Sequence, residues 1–566
     1  MAALLKSESS AELVQQLVAL EDLADDCFKD LELLRVPRNL ASWAALTRLV
    51  QLIEPTIEKF GTPYTREFLA TIINAGRSGS LLLEWIRKHG SARLAPRSRF
   101  RWSVALERTA AQAFDLAHNY EVFTGCFPAW HRDRAAAEIV APRTVRFTWI
   151  GGAVGRRVSA FQKGFRPESG ERGTAIPSSP VPDTPATRDR LARVLETCRP
   201  SGPRGFSYPE PRAYHEYLMP FYERSLASVF RREDSLDLGK YTLSTFKSLY
   251  VALLAICATH EILCHWWGKG RGKYPLNSAV IVREHADWVD TLSRLSGQHR
   301  DVVEAIVDDL TFPVGGPRKP QDLLIHPFVP LDAGSRLLGI LPHFPLYSRP
   351  DENILRTCSY ISPAAYHAAS QLKERDMRSD LVSGLPAHVA FGGPVKLPGG
   401  NPDLDLILED HGSSTLVLAE LKWIRKPLSV LERCDRDEEF LKGVDQLRRI
   451  EGFLSGNPEY LFERGKVSRS MSDYSEVRYL LLARDHFVWV DPAAEYPVIE
   501  FEAFKRAVCK AATLHDALAE LLEFEWLPVE GRDFAVSFQV ARANGVSIES
   551  EIFLPVRSAS PLHQAP

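Results

Sequence analysis

Two short apolar runs around residue 410 carry the side chains of this sequence best placed to do chemistry. The first is Asn401-Pro402-Asp403-Leu404-Asp405-Leu406-Ile407-Leu408. The second, Leu416-Val417-Leu418-Ala419-Glu420-Leu421-Lys422, follows across the polar turn Asp410-His411-Gly412-Ser413. Runs saturated with Leu, Ile and Val and bounded by turn residues read as buried strands. Side chains two apart on a strand share a face, so Asp403 and Asp405 project together, as do Glu420 and Lys422. A reversal at His411-Gly412 brings Asp405 opposite Leu418, one diagonal step from Glu420. Carboxylates gathered in so apolar a sheet need a cation or hydrogen-bonded partners. A hard divalent metal with oxygen ligands is the simplest such partner. The alternative is a half-buried ion pair of Lys422 with Glu420 or Asp405, which leaves the second carboxylate unexplained.

Helical and extended patterns flank these runs. Upstream, Ser362 as N-cap and Pro363 at the first position start a helix that runs to about Asp380. Strands are expected at His388–Phe391 and Val395–Leu397. Downstream, a helix from Arg433 to Leu454 buries an arc of Phe440, Val444, Leu447, Ile450 and Leu454, and strands follow at Val477–Ala483 and His486–Val490. Leu323–Leu331 and Leu337–Phe344 read as a pair of short strands whose prolines suit edges. Ser10 to Asn119 and Arg212 to Leu310 have helical spacing. A final helix is expected at Glu502–Glu523, with a hairpin in the tail. The chain thus divides into a helical N-terminal domain with a basic stretch (1–165), a Pro/Ser/Gly-rich linker (166–210), a second helical region (211–310), an α/β domain (311–500) and a C-terminal helix and tail (501–566).

Asp405 directly before an apolar run, followed by Glu420-Leu421-Lys422 on the next strand and then an amphipathic helix, resembles the signature of the PD-(D/E)XK nuclease superfamily over roughly residues 360–490. Asp403, after Pro402, is the literal alternative to Asp405. The resemblance implies a restriction-endonuclease-like α/β domain, a mixed central sheet flanked by helices, behind a largely α-helical N-terminal region. It implies that Asp405 and Glu420 hold Mg²⁺ or Mn²⁺ with the Leu421 carbonyl as a third ligand. Such a cation polarises a scissile phosphate and lowers the pKa of a bound water. Lys422 would position that water or stabilise charge on the phosphate. Gln446 stands where RecB-like members use a Gln to steady the site, although Ile450 replaces the Tyr that follows there; otherwise it is a boundary residue of its helix. Glu374 is a candidate for an upstream helix carboxylate, but its place on the polar side of its helix favours a solvated Glu. Arg425 and Lys426 suit either phosphate contacts or a solvated strand end.

The function implied is that of a metal-dependent nuclease, a DNA endonuclease in the first instance, and long bacterial nucleases of this type suggest defence against foreign DNA. The rival readings are a catalytically inactive relative that binds nucleic acid or assists assembly, and a helical interaction protein whose strands only mimic the signature. RNA is an alternative substrate. The helical N-terminal half would choose the substrate or a protein partner.

Bulk properties set the frame. With 566 residues, 45% hydrophobic and 25% charged, the chain has a globular composition and room for two or three domains. A net charge of −3 requires any phosphate-binding surface to be local. One candidate is Arg87 to Arg172, with 16 Lys and Arg against 7 Asp and Glu and with Phe100, Trp102, Phe147, Trp149, Phe161 and Phe165 interleaved. Eight cysteines without a C-x-x-C pair point to a reducing compartment. The N-terminus lacks a signal-peptide pattern. Leu249 to Trp267 contains His260, Glu261 and His265, which favours a buried helix over a membrane span. A cytoplasmic protein without membrane association is therefore expected. His260-Glu261 resembles the start of a zinc-binding H-E-x-x-H helix, but Cys264 holds the position of the second His, so a packed core helix is expected. Gly268 to Lys273 lacks the spacing of a phosphate-binding P-loop, so no nucleotide cofactor is expected, and no G-x-S-x-G elbow is present.

Overall fold

The computed structural model describes residues 11–60, 66–162, 184–201, 205–226, 235–269, 273–313, 322–332, 334, 336–347, 350–425, 427, 430–484 and 495–556. Apolar residues every three or four positions make the N-terminal part helical: α1 (Ala11–Asp25), α2 (Arg38–Phe60), α3 (Arg66–His89) and α4 (Val104–His131). Trp43, Leu46, Ile53, Leu82, Ile86 and Phe114 join these helices in one core. Ser103 caps α4 by accepting the Leu106 N–H. The strands β1 (Ala135–Ala141) and β2 (Thr144–Trp149) then form a hairpin inside the stretch expected to be helical, before α5 (Gly152–Gln162).

Of the expected linker 166–210, residues 166–183 lie outside the described residues. Pro185–Thr197 is instead a helix, α6, with Thr184 accepting the Thr187 N–H and Pro185 in the first turn. Two further helices, α7 (Arg212–Leu226) and α8 (Leu243–Lys269), pack together. Helix α8 is long and apolar enough to cross a membrane, and 83% of its most apolar window is buried inside the fold. After β3 (Ile281–Glu284) come α9 (His285–Ser296) and α10 (Arg300–Asp309), then β4 (Phe328–Pro330) and β5 (Leu337–Ile340). These three strands form their own antiparallel sheet in the order β3-β5-β4, so Phe328–Pro330 and Leu337–Ile340 pair with a strand of the preceding region rather than with the sheet that follows. Short α11 (His343–Tyr347) and α12 (Pro350–Ile361) lead to α13 (Pro363–Ser383), which Ser362 caps by accepting the Ala365 N–H, with Pro363 in its first turn.

Strands β6 (Val389–Phe391), β7 (Leu406–Asp410) and β8 (Thr415–Trp423) form an antiparallel meander. Val395 makes only an isolated bridge to Leu404. Helix α14 (Val430–Gly456) crosses over to β9 (Glu476–Arg484), which is parallel to β8, and β10 (Val498–Glu500) is parallel to β9. The mixed sheet has the order β10-β9-β8-β7-β6. One face packs on α14 through Leu416, Leu418, Ile407, Phe440, Leu447 and Ile450. The other meets α13 through Val417, Ala419, Leu421, Met377 and Leu381. The expected strand at His486–Val490 lies outside the described residues. The expected terminal helix is two, α15 (Phe501–Lys510) and α16 (Leu514–Leu522), the second starting at a Thr513 cap. The tail hairpin β11 (Phe534–Ala543) and β12 (Val546–Pro555) is present, and β12 pairs in parallel with β2. The first and last segments of the chain, expected as separate units, therefore share one sheet.

Arg425 and Arg356 are 2% and 1% exposed and share the carboxylate of Glu432 at the start of α14. Arg356 Nη1 reaches it at 2.8 and 3.0 Å, and Arg425 donates a further bond to Ser359 Oγ at 3.1 Å. Arg425 is thus neither a phosphate contact nor a solvated strand end, and Lys426 lies outside the described residues. Removing one member of a buried ion pair strands the other charge away from water. Glu432→Ala is expected to destabilise the fold by about 3–5 kcal/mol, read as a lower denaturant midpoint. A midpoint equal to wild type would show these guanidiniums to be solvated after all.

Candidate active site at the end of the central sheet

Register decides which side chains meet. Strand β7 pairs with β8 as Asp410↔Thr415, Leu408↔Val417 and Leu406↔Ala419. Continued by one residue, this register sets Asp405 directly opposite Glu420, not opposite Leu418 as the turn signal suggested. The loop occupies His411 to Ser414, two residues longer than a reversal at His411-Gly412. The Asp410 carboxylate accepts the Gly412 N–H at 2.8 Å and the Ser413 hydroxyl at 2.8 Å, and Ser414 takes a left-handed φ of 57°. This local wrapping widens the turn and shifts the register by two.

The result is a carboxyl pair at the sheet's end. Asp405 Oδ2 accepts the Leu421 N–H at 3.0 Å, and its carboxyl stands near enough to that of Glu420 to act on it electrostatically. Lys422 Nζ donates to Glu420 Oε1 at 2.7 Å, while Glu420 Oε2 is buried without a partner. Helix α14 comes close to Lys422 because residue 443 is glycine: a Cβ there would sit 2.4 Å from Leu481 Cδ1 and 3.4 Å from Lys422 Cε.

Helix α13 completes the group. Glu374 Oε1 accepts the Trp423 N–H at 3.3 Å, and Arg378, one turn further, donates to the Asp405 carbonyl at 3.3 Å. The expectation of a solvated Glu374 is corrected: this carboxyl is mostly buried and acts electrostatically on both Lys422 and Asp405. The apolar residues beside it, Met377 and Leu381, were the usable signal, since they turn this side of the helix inward. Asp403 is exposed at the strand's start. Gln446 sits half-buried on α14, and among the described residues no hydrogen bond joins it to Asp405, Glu420 or Lys422.

Burial and crowding set the protonation of these groups. Glu420 is pushed from 4.5 up to about 8, first by burial and then by Asp405. Burial also raises Asp405, against the Leu421 N–H, and carries Glu374 to about 7 despite Lys422. Burial would lower Lys422, but Glu420 outweighs it and the ammonium stays above its usual range. Three carboxyls therefore face one lysine and one arginine, and without a further cation burial and crowding favour their protonated forms, with Glu374 and Glu420 carried to about 7 and about 8. An orphaned Glu420 oxygen and an excess of oxygen donors fit a hard divalent cation.

Comparisons with protein-family models, with curated proteins and with solved structures give no match to this chain.

A carboxyl whose pKa is raised by folding contributes stability below its ordinary value and loses it as pH rises through its folded value. In metal-free buffer the melting temperature should fall between about pH 5 and pH 9, most steeply from about 5 to about 7, where Glu374 and Glu420 both keep protons that the unfolded chain has released, and more gently from about 7 to about 8, where only Glu420 does. Glu420→Gln should flatten that decline and raise stability at the alkaline end. Identical pH profiles for the variant and wild type would contradict the crowded-carboxyl geometry.

Proposed function

We propose that the chain is a metal-dependent nuclease that hydrolyses phosphodiester bonds, DNA first among its substrates. The observation that carries this reading is the meeting of Asp405, Glu420 and Lys422 at one end of a mixed sheet, with Glu374 arriving from the upstream helix. The order α13, β6–β7–β8, α14, β9, an antiparallel meander and then a parallel crossover, supports a restriction-endonuclease-like domain. Since folds are shared by unrelated activities, the reading rests on the side chains.

Asp405 and Glu420 would hold Mg²⁺ or Mn²⁺, with Glu374 beside them. In an extended strand a residue's N–H and carbonyl point to the same edge, so the Leu421 carbonyl lies on the edge whose N–H Asp405 uses and is a further oxygen donor. A bound divalent cation supplies Lewis-acid polarisation of the phosphate and activation of water. Lys422 adds a fixed positive charge next to Glu420, aimed at the charge that builds on the phosphate. Arg378 fixes the backbone of Asp405, and Glu374 fixes that of Trp423, so the two strand ends are held from α13. Helix α14 shuts the α14-side face of the sheet behind them with Phe440 and Leu447.

The purified chain is expected to nick supercoiled plasmid or cut single-stranded DNA with Mg²⁺ or Mn²⁺, and to stop in EDTA. Asp405→Ala, Glu420→Ala and Lys422→Ala should each lower the rate by about 100-fold or more while circular dichroism stays native. An RNA substrate assayed in parallel discriminates the nucleic acid. Cutting at wild-type rates by all three variants would remove the site, and no cutting by wild type on any of these substrates would favour a binding module on the same fold.

A further inference from the structure

A second group of buried ionisable side chains lies where α2, α8 and α11 meet. Glu54 comes from α2, Glu261 and His265 from α8, and His343 from α11. Donor atoms of Glu54, Glu261 and His343 all lie within 4.8 Å of one another. His343 Nε2 is 2.8 Å from Glu54 Oε1. His265 Nε2 stands 3.4 Å from Glu54 Oε2 and 3.8 Å from Glu261 Oε1. The Tyr347 hydroxyl donates to Glu261 Oε1. Glu54, Glu261 and His343 are 6%, 5% and 0% exposed, while the His265 side chain is 37% exposed and forms the mouth of the group.

The pattern on α8 is one residue out of step with the one that the sequence offers. His260 is turned away, its Nδ1 on the Tyr208 hydroxyl at 2.8 Å and its Nε2 on the Ser278 carbonyl at 2.5 Å. Glu261 and His265, four apart, share the face that meets Glu54 and His343.

Ion pairing alone leaves this group unfinished. Glu54 Oε2, Glu261 Oε2 and His343 Nδ1 are buried and have no hydrogen-bond partner. Buried polar atoms are nearly always satisfied, and three such atoms in one cluster call for a shared partner. Protonated imidazoles would balance the two carboxylates in charge, with His265 beside Glu54 Oε2, but would leave Glu261 Oε2 and His343 Nδ1 without a hydrogen-bond partner. Two carboxylates and two imidazoles are a borderline donor set, matched to zinc rather than to magnesium. Four ligands around zinc lie about 3.5 Å apart, so closing the group needs side-chain shifts of roughly an ångström.

We propose that Glu54, Glu261, His265 and His343 form a structural Zn²⁺ site, separate from the carboxyl group of the sheet. Tyr347 orients Glu261 there, as hydrogen-bonded neighbours of metal ligands commonly do. The ion would tie together three segments distant in sequence, so its binding adds directly to the stability of the fold.

The test uses full-length protein carrying Asp405→Ala and Glu420→Ala, which removes the sheet site from the measurement. Stripped with chelator and titrated with ZnCl₂, it should bind one equivalent and melt about 5 °C higher. Co²⁺ in place of Zn²⁺ should give the visible absorption of a four-coordinate site. Because His265 is partly exposed, His265→Ala should fold normally and weaken Zn²⁺ binding by about tenfold or more, with loss of the Co²⁺ band; His343→Gln serves as the buried counterpart. Weakened binding in either variant, with native circular dichroism, supports the site. Failure of the stripped protein to take up Zn²⁺, or uptake and melting unchanged by both substitutions, overturns it.

Discussion

Two carboxyl groups from neighbouring antiparallel strands confront each other at Asp405 and Glu420, and something positive has to lie between or beside them. In the chain itself that role falls to Lys422, to the Leu421 N–H and to protons held well above the usual carboxylate range. Much of the local architecture follows from this constraint. The sheet is apolar on both faces, so the acids can sit only at its end, where β7 begins and β8 finishes. Gly443 lets α14 close over the lysine, and α13 brings Glu374 and Arg378 to the two strand ends.

The charges elsewhere serve to hold that end in place. Arg356 and Arg425 converge on Glu432, which locks α12, the exit of β8 and the start of α14 into one buried knot. Part of the arginine-rich stretch that looked suited to nucleic acid is used in the same way. Arg134 pairs with Asp437, Arg146 with Glu549 and Arg156 with Glu551, while Arg157 caps the carbonyls of Phe524, Leu527 and Pro528. Its aromatics go into the cores: Trp102, Phe147 and Phe161 are buried, and Phe165 lies outside the described residues. These four cations tie the hairpin and α5 to α14 and to the tail, while Arg93, Arg97, Arg99, Arg101 and Arg108 of the same stretch are exposed.

Local signals in the sequence were reliable where local physics decides. The Ser362-Pro363 start of α13, the buried arc of α14 and the saturated strands β7 and β8 all follow from spacing and capping. The two-residue alternation of strands put Glu420 with Lys422 and Asp403 with Asp405, and the choice of Asp405 over Asp403 came from the resemblance to the nuclease signature. Their exact mutual placement did not, because the Asp410 side chain wraps the loop and lengthens it by two residues. Glu374 was misplaced because the buried stripe of its helix is sparse, made of Ala365, Ala369, Met377 and Leu381 only, although the last two lie on the side of Glu374. The parallel pairing of β2 with β12 joins residues 144–147 to 547–550, and nothing in either segment alone specifies a partner so far along the chain.

The sheet group and the helix group meet one electrostatic problem with different chemistry. Both bury carboxylates beyond what hydrogen bonds satisfy, leaving Glu420 Oε2 in one and Glu54 Oε2 and Glu261 Oε2 in the other without hydrogen-bond partners. The first supplements its acids with an ammonium and backbone groups, which leaves oxygen as its available ligand and suits a hard cation that is held loosely and exchanged. The second supplements them with imidazoles, which are themselves ligands and suit a borderline cation held for good. The difference in position agrees with the difference in donors. The oxygen-rich group lies at the ends of two strands, where the proposed phosphate substrate would have to bind. The imidazole group lies between three helices with only His265 reaching outward, a place suited to fastening the fold and not to turnover.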